Sequence, residues 1–158
     1  MGVLAGKHAL VTGGGTGVGA AIALALVAEG AVVTISGRRQ APLDETAAQS
    51  DAITAIVADV TDETSVTALY SQARAVHGSV DIVVATAGAA ESSPFAKIDQ
   101  GHWQRMLVVN LTGVFLTLQA PFPDILQKCR VRIFSVASTA GLNAYHYVAP
   151  YLPIIHIS

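Results

Sequence analysis

Residues 12–19 read Thr-Gly-Gly-Gly-Thr-Gly-Val-Gly and lie between the apolar run His8–Val11 and the alanine- and leucine-rich stretch 20–30. A strand, a glycine loop and a helix in that order make a phosphate cradle. Glycine lets the backbone turn tightly and approach a ligand, and the helix brings its free N–H groups and positive dipole end to the same spot. A second apolar strand over 31–36 closes a βαβ unit. That context favours nucleotide binding over a plain structural turn or a different phosphate or nucleoside ligand. The next candidate is Arg38, in the run Ser36-Gly37-Arg38-Arg39. In dinucleotide folds an acid about 20 residues beyond the loop bonds the ribose 2′-hydroxyl, whereas an arginine there suits a 2′-phosphate. No carboxylate stands in this run and two guanidiniums do, which favours NADP over NAD. Plain solvation suits Arg39 better than Arg38. Asp59 closes the third strand and either bonds the adenine amino group or helps cap the next helix.

These residues need a scaffold, and the pattern supplies one. Strands are expected over Lys7–Thr12, Val32–Ser36, Ile53–Ala58, Asp81–Ala85 and Val131–Ala137. Helices are expected over Val18–Glu29, over Ala41–Gln49, from an N-cap at Thr61 to about Val76, and from about Gln100 to Gln119. A polar loop, 87–94, follows the fourth strand. Regular strand–helix alternation predicts an α/β fold with a doubly wound parallel sheet in the order 3-2-1-4-5. Residues 1–158 read as one domain, without repeat, linker or low-complexity segment.

Composition agrees with that scaffold. Hydrophobic residues make up 52% of the chain and charged ones 13%, a bias expected of strands covered on both faces. A net charge of −2 provides no basic field for nucleic acid. Cys129 is the one cysteine, suited to burial rather than to a disulfide or metal. The N-terminus has no secretory pattern, and Gly6 stands where a myristoylation signal needs Ser or Thr. No apolar run is expected to reach the roughly 20 residues of a membrane span, so the expected location is cytoplasmic.

Together TGGGTGVG, SGRR, ADV, VVNLTGVF and IFSVASTAG resemble the short-chain dehydrogenase/reductase family in order and spacing, over residues 3 to about 151. The resemblance implies a Rossmann-type sheet and hydride transfer between NADP(H) and a small carbonyl or alcohol substrate. It implies no metal, and a homo-oligomer. The implied cofactor contacts are Gly13, Thr16, Gly17, Val18, Gly19, Arg38, Asp59, Val60 and Gly88. The implied catalytic residues are Asn110, which holds a water in the proton path, Ser138, which bonds the substrate oxygen, and Tyr151, 13 residues beyond Ser138. Tyr145 and Tyr147 are too close to Ser138 for that role and line the pocket or pack on the surface.

Two departures stand out. The family's Asn-Asn-Ala-Gly is Ala85-Thr86-Ala87-Gly88 here, so the asparagine that ties neighbouring strands is expected to be missing. The family's lysine, four residues after the catalytic tyrosine, is Ile155. That lysine lowers the tyrosine pKa from about 10 and bonds the nicotinamide ribose; isoleucine does neither. Pro153 stands where the family has an active-site helix, and residues 133–158 contain no Lys, Arg, Asp or Glu. The family's sixth and seventh strands are expected to be missing. A truncated or frame-shifted reductase accounts for both the ending and the loss of charge, a natural non-catalytic relative accounts for the missing lysine but not for the missing strands, and a sequence altered near its end is the third reading. Catalysis is expected to be impaired. The alternatives are a non-catalytic nucleotide-binding module or partner subunit and, more distantly, a methyltransferase using S-adenosylmethionine.

Overall fold

Five apolar segments pair side by side in the computed structural model, which describes residues 2–128, 130–141 and 146. The strands are β1 (His8–Thr12), β2 (Val32–Gly37), β3 (Ile53–Val57), β4 (Ile82–Ala85) and β5 (Arg132–Ser135). They are all parallel and lie in the order β3-β2-β1-β4-β5, as the alternation predicts. The helices are α1 (Gly17–Ala28), α2 (Gln40–Ala47), α3 (Glu63–His77), α4 (Gln100–Leu107), α5 (Gly113–Gln119) and α6 (Phe122–Lys128). A π-turn over Val108–Thr112 joins α4 to α5 without a break.

Alternate strand residues build two cores. Ala9, Val11, Val33, Ile35 and Val84 face α1 and α2, packing on Ala23 and Leu43. Leu10, Ile56 and Val83 face the other way, onto Val66, Leu69 and Tyr70 of α3 and Leu116 of α5. Leu10, Val11 and Val83 have no exposed surface, and each such side chain contributes roughly 1.5–3 kcal/mol on burial. This two-sided cover is why the strands read as unbroken apolar runs.

The second layer is pinned by polar contacts. Tyr70 donates its hydroxyl to the Thr117 carbonyl at 2.7 Å. Arg74 reaches across to both carboxylate oxygens of Asp124 and donates to the Ala120 carbonyl at 3.0 Å. These bonds fix α5 and α6 against α3, and through them the π-turn that carries Asn110.

Three expectations need correction. The N-cap of α3 is Asp62, which accepts from Thr64 N at 2.9 Å. Thr61 lies one residue before the cap, where its N–H and hydroxyl both donate to Asp59 Oδ1. The long helical stretch passes Gln119, resuming as α6 with Pro123 in its first turn, where proline costs no helix bond. Finally, Gln100–Gln127 is long and apolar enough, by length and composition alone, to cross a membrane. The same test is passed by helices that pack on a sheet, as α5 does here through Leu116.

Candidate functional site

The backbone at the carboxyl end of β1 shapes a cavity of about 370 Å³. Gly14 N donates to the Ser36 carbonyl at 3.0 Å, which folds the loop over β2. Thr16 is extended at the start of α1, its side chain makes no capping bond, and the first turn holds no acid. The leading N–H groups and the positive end of α1 are therefore left for a ligand. Gly17 has φ +54, and a Cβ added there would meet nothing within 4 Å, so a side chain would project into open space beside the loop. Gly19 has the opposite setting: a Cβ there would strike the Gly13 carbonyl and stand 2.9 Å from the Thr86 hydroxyl. These features fit a pyrophosphate at the helix N-terminus.

To one side, at the ends of β2 and β3, Arg38, Arg39 and Asp59 line the same cavity. Partial burial works to raise the Asp59 pKa. Hydrogen bonds from the Thr61 N–H and hydroxyl, with the nearby Arg38 guanidinium, outweigh it and hold the carboxyl below its ordinary value. Asp59 is thus a fixed anion, and Arg38 is exposed.

On the opposite side, past β4, Thr86, Ala87 and Gly88 form the wall. Thr86 donates its hydroxyl to the Thr12 carbonyl, and Ala87 N donates to Thr12 Oγ1 at 3.3 Å. The tie between β1 and β4 that the family's asparagine makes is made here by Thr86 and Thr12.

Asn110 sits on the π-turn with its amide committed. Its Oδ1 accepts from Ala89 N at 3.0 Å, and its Nδ2 donates to Ala89 O at 2.8 Å and to Met106 O at 3.1 Å. Both amide hydrogens are in use, so the side chain holds the loop after β4 rather than offering a donor to a water. A π-turn in an otherwise regular helix is a common mark of a functional position.

All nine expected cofactor residues (Gly13, Thr16, Gly17, Val18, Gly19, Arg38, Asp59, Val60 and Gly88) line the one cavity. Asn110 lies behind its wall, within 3.0 Å of where a Gly88 Cβ would stand. Ser138 follows β5, half-buried, its hydroxyl accepting from Ala140 N at 3.1 Å. Tyr145, Tyr147, Tyr151, Pro153, Ile155 and Cys129 lie outside the described residues. Other lining residues were not among those expected, Pro42, Leu43, Thr86 and Val109 among them. Only Thr86 carried a signal, as the residue replacing the family's asparagine.

Known proteins share this arrangement. A family model described as short chain dehydrogenase matches residues 7–152. An uncharacterized oxidoreductase of Staphylococcus aureus strain MW2, MW2403, is 36% identical over 145 residues, covering 90% of this chain and 63% of its own length. Oxidoreductase asL5 of Sarocladium schorii is 39% identical over 139 residues, covering 87% of this chain and 56% of its own. The crystal structure of gox2181 superposes with a TM-score of 0.93 at 28% identity, covering 97% of this chain and 62% of that one. The chain thus spans about three fifths of the length of the relatives it matches.

Proposed function

The chain belongs to the short-chain dehydrogenase family, and from that premise we propose that it serves an NADP-dependent oxidoreductase acting on a small carbonyl or alcohol. The observation that carries this is the convergence of the glycine loop, Arg38, Asp59 and Gly88 on one cavity, with two arginines and no acid at the end of β2. The α1 N-terminus and the loop backbone would hold the pyrophosphate. Arg38, with Arg39 beside it, would clasp the 2′-phosphate through charge-assisted hydrogen bonds. Asp59 would accept from the adenine amino group. When bound, NADPH supplies the hydride. Ser138 donates a hydrogen bond to the substrate oxygen, and Tyr151 gives up its phenolic proton to that oxygen as the carbonyl becomes an alcohol. Asn110 keeps the loop after β4 at its place along the cavity.

The homo-oligomer belongs to the same proposal, assembled through the long helical stretch, where Phe115, Phe122 and Leu126 are more than half exposed. So does a cytoplasmic location.

A second function is favoured by one residue. Ile155 stands four positions after Tyr151 in place of the family's lysine, which suits a nucleotide-binding module without turnover. Oxidation of NADPH by protein of verified mass, against a panel of aldehydes and ketones, separates the two. Turnover supports the oxidoreductase; tight NADPH binding without turnover supports the module; binding of S-adenosylmethionine in place of NADPH removes both.

A further inference from the structure

Thr86 occupies the seam between the two walls of the cavity. Its hydroxyl donates to the Thr12 carbonyl, the last residue of β1 before the glycine loop. The reciprocal bond, from Ala87 N to Thr12 Oγ1 at 3.3 Å, makes the contact two-point. The glycine loop closes on the same spot, because a Cβ on Gly13 would stand 2.9 Å from Ala87 N and one on Gly19 would stand 2.9 Å from the Thr86 hydroxyl. One hydroxyl group therefore meets β1, the glycine loop and the turn after β4.

The sheet order shows what this junction separates. With the pyrophosphate at the start of α1, β2 lies on one side of β1 and β4 on the other. A 2′-phosphorylated nucleoside at Arg38 takes the β2 side, and the second nucleoside must run along the β4 side, past Thr86, Ala87 and Gly88. We infer that Thr86 is a positioning residue for the second nucleoside: its bond to Thr12 sets the spacing between the pyrophosphate loop and the wall that the reactive half of the dinucleotide lies on. This role rests on the dinucleotide assignment above.

The test compares Thr86→Val, which keeps the shape and removes the hydroxyl, with Thr86→Ser, which keeps the hydroxyl. Each variant and the parent are titrated with NADPH and with adenosine 2′,5′-bisphosphate, which reaches Arg38 and the glycine loop but lacks the second nucleoside. Thr86→Val should weaken NADPH by roughly 3- to 10-fold, the scale of one neutral hydrogen bond. Its affinity for the bisphosphate should stay within about 2-fold of the parent's, which also shows that the variant is folded, and Thr86→Ser should restore NADPH binding. Equal loss of both ligands, or no loss of either, overturns the role. A parent protein that binds neither ligand instead removes the dinucleotide assignment itself, and this role with it.

Discussion

β4 and β5 are neighbours in one sheet, yet their surroundings differ completely. Every residue of β4 is buried, and β4 ends in the Thr86–Gly88 wall. Every residue of β5 is exposed, with Phe134 at 52% and Ile133 at 41%, and β5 leads to Ser138. An apolar groove of about 410 Å³ runs along the outer pair, between Ile22 and Leu26 of α1 and Phe134 of β5. Among the described residues no helix fills it. The cavity end is therefore positioned by packed layers and by short-range backbone bonds. The Ser138 end is positioned mainly by the ladder between β4 and β5 and, at Ser138, by one local turn. Backbone geometry suffices to shape a glycine loop, whereas a hydroxyl that is to do chemistry needs side chains held from several directions.

The largest effect that sharpens this contrast is expected at Gly19. A valine there collides with the Gly13 carbonyl and displaces the loop, and a misplacement of about 1 Å can cost about 100-fold. NADPH binding should fall at least that far while the circular dichroism spectrum stays native; retained affinity would reduce the loop to a plain turn. Next comes packing. Leu10→Ala in the covered sheet should cost about 2–5 kcal/mol in denaturant unfolding, and Phe134→Ala on the exposed strand about 0.5 kcal/mol. Equal costs would mean that β5 is covered in solution.

A smaller effect is expected at the phosphate end. Arg38→Ala should weaken NADPH by about 1.5–3 kcal/mol, the range for hydrogen bonds to charged groups, and leave NADH nearly unchanged. Smallest is the acid response of Asp59. Its folded pKa lies below its ordinary value, so it contributes stability at neutral pH that is lost as the pH falls below about 3.9 and through the folded value. Because the group is mostly solvated, Asp59→Asn should flatten that acid limb by a few tenths of a kcal/mol. An unchanged slope would show that the Thr61 and Arg38 interactions carry no net energy.

The order of the strands and the position of the cradle were legible because they depend on local patterns. Apolar runs alternate with helical stretches, and Gly17 and Gly19 fall where a turn meets a helix start. What stayed hidden depends on three-dimensional neighbours. The capping of α3 falls to Asp62, whose carboxylate accepts from Thr64 N, while Thr61 turns back to donate to Asp59. The strand tie survived through the Thr86 hydroxyl on the Thr12 carbonyl and Ala87 N on the Thr12 hydroxyl, groups that come together only after β1 and β4 pair. The commitment of Asn110 to Ala89 required the π-turn, for which residues 108–112 carry no sequence signal known to us. The helical stretch resumes past Gln119 because Pro123 falls in the first turn of α6, where proline is compatible with a helix start.

The central claim is that the glycine loop and Arg38 form a working NADP site. Calorimetric titration of the 158-residue protein with NADPH and NADH, under one buffer and salt condition, tests it most directly. NADPH should bind with one site per chain and NADH should bind at least about 10-fold more weakly, as expected when charge-assisted bonds to a phosphate are lost. Equal affinity for the two, a preference for NADH, or no heat from either would contradict it.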